Sequence, residues 1–151
     1  AEATVEVAAT DSAAAGGVDP EMMALGLASY AICAACHSPD GQGIKMGATM
    51  MAPSLTGSEL LVGDPDAALL VILKGIAKED MSYMGMMASL AAGLDDKKLA
   101  AVLTYSRNAF GNSAPPITVE QAAAARAKFA DVDAPSGVSR KDIDEIVAAH
   151  R

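Results

Sequence analysis

The chain has 151 residues, enough for one compact domain with additions but short for two, and is 52% hydrophobic yet only 3% aromatic, with no Trp. Its net charge of −8 is uneven: residues 1–73 carry nine acidic side chains against the single base Lys45, whereas residues 74–151 carry ten of each sign. No basic stripe could neutralise phosphates and no apolar run reaches the roughly 18 residues of a membrane span, which argues against a nucleic-acid partner and against a transmembrane segment in the chain as given.

Residues 1–17, ending near AATDSAAAGG, read as a flexible lead. The first residue is Ala, as expected of an exported protein whose signal segment has been removed. Asp19, followed by Pro20 and Glu21, is a helix start, and Met22, Leu25, Gly26, Tyr30 and Cys33 recur at helical spacing, which predicts a helix from Pro20 to about Ala35. The Gly-, Pro-, Ser- and Thr-rich stretch 38–61 shows no period of two and reads as a long ordered loop instead of a strand pair. A loop of that length in a small domain needs a reason, and wrapping a bulky cofactor is one. The same cofactor would fill a core that is short of large rings.

Asp64-Pro65 opens a short helix through Leu69, Leu70, Ile72 and Leu73 that Gly75 stops. Residues 76–93 form a second loop, holding four of the nine Met. Asp95 or Asp96 caps a strong helix through Leu99, Val102, Leu103, Tyr105 and Phe110, ending near Gly111. Beyond SAPP, capping-box patterns at Thr118 and Ser139 predict helices over 119–130 and 140–149. Three parts follow: the lead 1–17, a domain over 18–114 and a helical C-terminal extension over 115–151.

The chemistry is carried by Cys33-Ala34-Ala35-Cys36-His37. Two thiols separated by two residues can each add across one vinyl group of a haem, while the next residue sets an imidazole beneath the iron. Two other uses of the motif compete. A thioredoxin-like CxxC follows a strand and opens a helix, whereas this one closes a helical stretch. A zinc site needs a fourth donor, and no second compact Cys/His cluster exists in the sequence. Met81, Met84, Met86 and Met87 all lie in the second loop, so any of their thioethers could reach the opposite face of iron. His150, the only other histidine, reads as a terminal surface group, with a bis-histidine arrangement as its alternative. Tyr83, Lys74, Lys78 and Arg107 are candidate neighbours of the haem propionates.

Over residues 20–112 the chain resembles the class I monohaem cytochrome c family, on CAACHSPDGQG, MAPSLTGSEL, YMGMMASL and KLAAVLTYSRNAFGN. The resemblance implies an all-α domain wrapped around one covalently attached haem c and its iron. It implies that the first and last helices of the domain cross through Gly26 and Tyr30 against Val102 and Tyr105. It further implies that the Pro53 carbonyl holds the second nitrogen of His37, that Leu55 packs against the haem, and that Met87 is the sixth ligand. In that alignment Ala88 stands where the family commonly has Pro.

The expected function is periplasmic one-electron carriage with His37 and Met87 as axial ligands. The competing functions are an electron-entry or electron-exit subunit of a larger oxidoreductase complex, for which the C-terminal extension would serve as a grip, and a peroxidase-like haem enzyme, for which the sequence supplies no distal acid–base pair. The expected partner is a redox protein or oxidoreductase complex. Acidic groups of the first half would steer a basic partner, and the segment from Ile44 to Ala52, with Met46, Met50 and Met51, would make close contact.

Overall fold

The computed structural model describes residues 18–78 and 86–151. Helices α1 (Pro20–Ser29) and α2 (Ala31–His37) lead into a two-residue antiparallel hairpin of β1 (Lys45–Met46) and β2 (Thr49–Met50). A single turn α3 (Glu59–Val62), then α4 (Pro65–Lys74), α5 (Asp96–Ser106), α6 (Val119–Lys128) and α7 (Ile143–Ala149) complete the chain. The lead 1–17 lies outside the described residues.

The starts follow the sequence closely, because each is set by a side chain that satisfies otherwise orphaned backbone N–H groups. Asp19 accepts from the Glu21 N–H at 2.9 Å, Asp64 from the Asp66 N–H at 2.9 Å and Asp95 from the Lys98 N–H at 2.8 Å. At Thr118 the reciprocal box is complete: its hydroxyl accepts from the Gln121 N–H at 3.0 Å and its own N–H donates to Gln121 Oε1 at 2.8 Å.

Four expectations need correction. The helix expected over 20–35 is two helices interrupted at Tyr30, whose buried side chain donates from its hydroxyl to the Ser38 carbonyl at 2.7 Å and so ties the start of α2 to its end. The loop 38–61 does contain a strand pair: with Gly47 at φ +66° in the turn, two pairs of residues suffice, too few to leave a period in the sequence. Helix α5 stops at Ser106, short of Gly111, where the chain turns and Phe110 takes φ +59°. Ser139 does not start a helix directly. Residues Arg140–Asp142 form a 3-10 turn, the Ser139 side chain makes no cap hydrogen bond, and the α-helix begins at Ile143.

The domain is organised by α1 against α5. At Gly26 the backbones approach so closely that a Cβ would collide with the Ala101 carbonyl oxygen and lie 2.5 Å from the Tyr105 Cβ. The Tyr30 ring packs 5.7 Å from Tyr105 and 5.2 Å from Phe110, measured between centroids, so three of the chain's few aromatics form one cluster beside the crossing. Helix α4 is buried along Ala67 to Leu73 and sits in the same core as α5.

The extension joins that core instead of trailing from it. Ile117, Ala122, Ala125, Phe129, Val138, Ile143 and Val147 are buried in the cluster that holds Leu69, Leu70 and Leu99. Arg126 fastens α6 from outside, reaching Asp96 at 2.8 Å and the carbonyls of Ala91 and Leu94 at 3.0 and 2.6 Å. Lys128 pairs with Asp66 at 3.0 Å, and Arg151 pairs with Asp64.

Candidate cofactor site

Helix α2 delivers Cys33, Cys36 and His37 to one end of the core and stops there. Ser38 follows at φ 68°, ψ 152°, a conformation that costs a non-glycine residue about 1–3 kcal/mol. Local bonds hold it: the Ser38 carbonyl accepts from Tyr30, and its hydroxyl donates to Asp40 at 2.7 Å, which keeps the Asp40 carboxyl below its ordinary range. The turn reverses the chain immediately after the imidazole.

His37 is buried, with 9% of its surface exposed, and its Nδ1 lies 3.2 Å from the Pro53 carbonyl oxygen. A carbonyl can only accept, so Nδ1 carries the proton and Nε2 is left with a lone pair. Burial pushes the imidazole pKa down, and the Pro53 contact opposes this only in part, so the ring stays neutral as an electron-pair donor. Cys33 is half-buried and its thiol is pushed up to about 11, mainly by desolvation, whereas Cys36 is exposed.

Opposite α2, the second loop returns along the end of α4. Met87 and Ile76 exchange backbone hydrogen bonds at 2.9 Å in each direction. Gly75, at φ +80°, permits this, because a Cβ there would collide with the Met87 carbonyl oxygen. The half-buried Met87 is held at the site by paired backbone, whereas Met86 is 46% exposed. Met81, Met84 and Tyr83 lie outside the described residues.

Between these walls lies a hollow with two lobes, of about 370 and 140 Å³. Cys33, His37, Pro53, Ile76, Met87 and Arg140 line both. Leu55 lines the larger lobe with Leu60, Val71 and Ile72; Cys36, Met51, Ala52 and Met86 line the smaller. The larger lobe falls within the size range of small-molecule and cofactor sites. Its aliphatic walls, a neutral imidazole with a free nitrogen, a thioether and two thiols form a donor set that suits a haem attached through Cys. The six residues expected to hold the haem, Cys33, Cys36, His37, Pro53, Leu55 and Met87, therefore border one hollow. Among the described residues no group of three or more His, Cys, Asp and Glu side chains is arranged to hold a bare metal ion, so the geometry lends the zinc alternative nothing.

Several expectations fall elsewhere. Arg107 lines neither lobe and is a buried structural cation, 1% exposed, donating to the carbonyls of Leu61, Gly63 and Pro115 at 2.7, 3.1 and 2.9 Å. Burial lowers its pKa, and nearby Asp64 opposes this. Lys74 and Lys78 line neither lobe. His150 is engaged at the tail, with Nδ1 2.7 Å from the Ile146 carbonyl oxygen, Nε2 3.1 Å from Asp131 and its ring against Phe129, and it too lines neither lobe. The segment from Ile44 to Ala52 is only partly exposed: Met46 faces outward, while Met51 and Ala52 turn to the hollow. Sequence reasoning missed Arg140, whose position at the hollow depends on long-range packing of the extension.

A family model described as cytochrome c matches residues 23–110. Cytochrome c-552 of Thermus thermophilus is 38% identical over 112 residues, covering 66% of this chain and 82% of the relative. A second cytochrome c-552, from a designated strain of the same organism, shows the same identity and length, covering 66% of this chain and 72% of the relative. Helices α6 and α7 lie beyond the residues that the family model matches. No helix among the described residues is long and apolar enough to cross a membrane.

Proposed function

The chain belongs to the cytochrome c family, whose general role is electron transfer, and on that premise we propose that it is a one-electron carrier of the periplasm with one haem c held by Cys33 and Cys36 and ligated by His37 and Met87. The observation that carries this reading is the His37 to Pro53 contact at 3.2 Å, with Met87 bordering the same hollow. The Pro53 carbonyl fixes the tautomer and rotation of the ring, which aims Nε2 and raises its basicity. Each thiol adds across one vinyl group, sulfur to one carbon and hydrogen to the other, so attachment is redox-neutral.

Bound haem supplies reversible one-electron chemistry at its iron. The protein's part would be to hold the iron through His37 and Met87, exclude water and keep the surrounding side chains steady. The Met87 thioether favours reduced iron more than a second imidazole would, and the aliphatic walls act in the same direction by disfavouring added positive charge. If His37 and Met87 both ligate the iron, the peroxidase-like alternative would lack an open site for its oxidant. The free-carrier reading gains over the complex-subunit reading because the apolar residues of the extension are spent on its own core, Phe129 being 0% exposed.

Intact-mass measurement after extraction into acidic organic solvent tests attachment. One haem should stay with the polypeptide, and Cys33→Ala or Cys36→Ala should leave weakened or heterogeneous attachment. Transfer of all the pigment from the unaltered protein into the organic phase would refute it.

A further inference from the structure

The extension reaches the cofactor hollow through backbone pairing. The Val138 N–H donates to the Gly75 carbonyl at 3.0 Å, and the Val138 carbonyl accepts from the Ala77 N–H at 2.9 Å, which lays this segment parallel beside Ile76. Ile76 in turn spends its own N–H and carbonyl on Met87. The three residues 87, 76 and 138 thus lie side by side, the extension on one flank of Ile76 and the ligand loop on the other. Gly137, at φ +95°, makes the approach possible, since a Cβ there would stand 2.5 Å from Ala77 N and from the Ile76 carbonyl carbon.

Two residues beyond Val138, the half-buried Arg140 lines both lobes of the hollow. Among the described residues it is the only permanently charged side chain that lines either lobe, and none of their carboxylates lines them. A guanidinium set in an aliphatic wall favours an anion beside it, and its planar fork matches a carboxylate with two parallel hydrogen bonds. Haem carries two carboxylate side chains.

We propose that Arg140 pairs with a carboxylate side chain of the haem, so that the C-terminal extension forms part of the cofactor site and raises its reduction potential. The inference rests on the haem reading above. A fixed cation at this wall disfavours the extra positive charge of oxidised iron, and pairing with a carboxylate removes a negative charge that would favour it. Both effects stabilise the reduced state.

Spectroelectrochemistry of the holoprotein and three variants tests this. At a fixed applied potential, Arg140→Gln should lower the reduced-to-oxidised ratio about tenfold, the size expected for losing one charge at roughly 10 Å in a medium of intermediate polarity. For one electron that is a midpoint about 59 mV lower. Arg140→Lys, which keeps the charge, should restore most of the ratio. Lys141→Gln removes the same charge from the exposed neighbouring position and should change the ratio less than about twofold, because exposed charges are screened.

Equal, small effects of Arg140→Gln and Lys141→Gln on a protein that still carries covalent haem would overturn the inference and leave the haem reading standing. Absence of covalent haem from the unaltered protein would overturn both. A second measurement needs no substitution: in the reduced, diamagnetic holoprotein, nuclear Overhauser contacts between Arg140 side-chain protons and a haem propionate methylene are expected, and their absence would overturn the pairing even if Arg140→Gln failed to accumulate.

Discussion

A methyl group at residue 26 would collide with the Ala101 carbonyl oxygen and come within 2.5 Å of the Tyr105 Cβ. Neither neighbour can yield, one being backbone and the other the root of a packed ring. Gly26→Ala should therefore destabilise the holoprotein by about 1–3 kcal/mol, the usual range for overpacking, as read by urea denaturation with the haem spectrum unchanged in the native baseline. A loss within error of zero would mean that α1 and α5 do not meet as closely as described. Gly26 and Pro53 were both legible in the sequence through the family resemblance alone, since nothing in the CxxCH motif itself selects the carbonyl that faces His37. Arg107 and Arg140 were not legible. Both are arginines in ordinary-looking contexts, and only the folded chain shows that one is consumed by the carbonyls of Leu61, Gly63 and Pro115 while the other lines the hollow.

Among the elements, starts were easier to read than ends. A cap such as Thr118 with Gln121 is a local device encoded within four residues, whereas the end of α5 at Ser106 depends on where Arg107 finds distant carbonyls and on the turn into Phe110. The hairpin of β1 and β2 was missed because two residues per strand leave no pattern. The sequence predicts two helices beyond residue 114, and they are present, with their apolar residues entering the common core. Phe129, the largest buried hydrophobic side chain in the extension, tests this. Phe129→Ala should cost about 3–5 kcal/mol of stability in thermal or urea unfolding, the range for deleting a fully buried ring. An effect near zero would make the extension an independent appendage.

At the scale of the whole molecule, a sequence poor in aromatic residues closes its helices over a hollow instead of a solid centre. Helix α2 presents the thiols and the imidazole on one side, paired backbone holds Met87 at the other, and the extension braces the strand of residues between them. Cys33, Cys36 and His37 could be read from spacing and Met87 from the family resemblance, whereas the pairing of Met87 with Ile76, a contact made across eleven residues, is visible only in the folded chain. The central claim is that this hollow holds a haem whose iron is ligated by His37 and Met87. Near-infrared absorption of the oxidised holoprotein tests it most directly, because a weak sulfur-to-iron charge-transfer band reports a thioether on ferric haem. The band should be present in the unaltered protein and absent after Met87→Ala, with the haem still covalently attached; its persistence in the Met87→Ala protein would contradict the account.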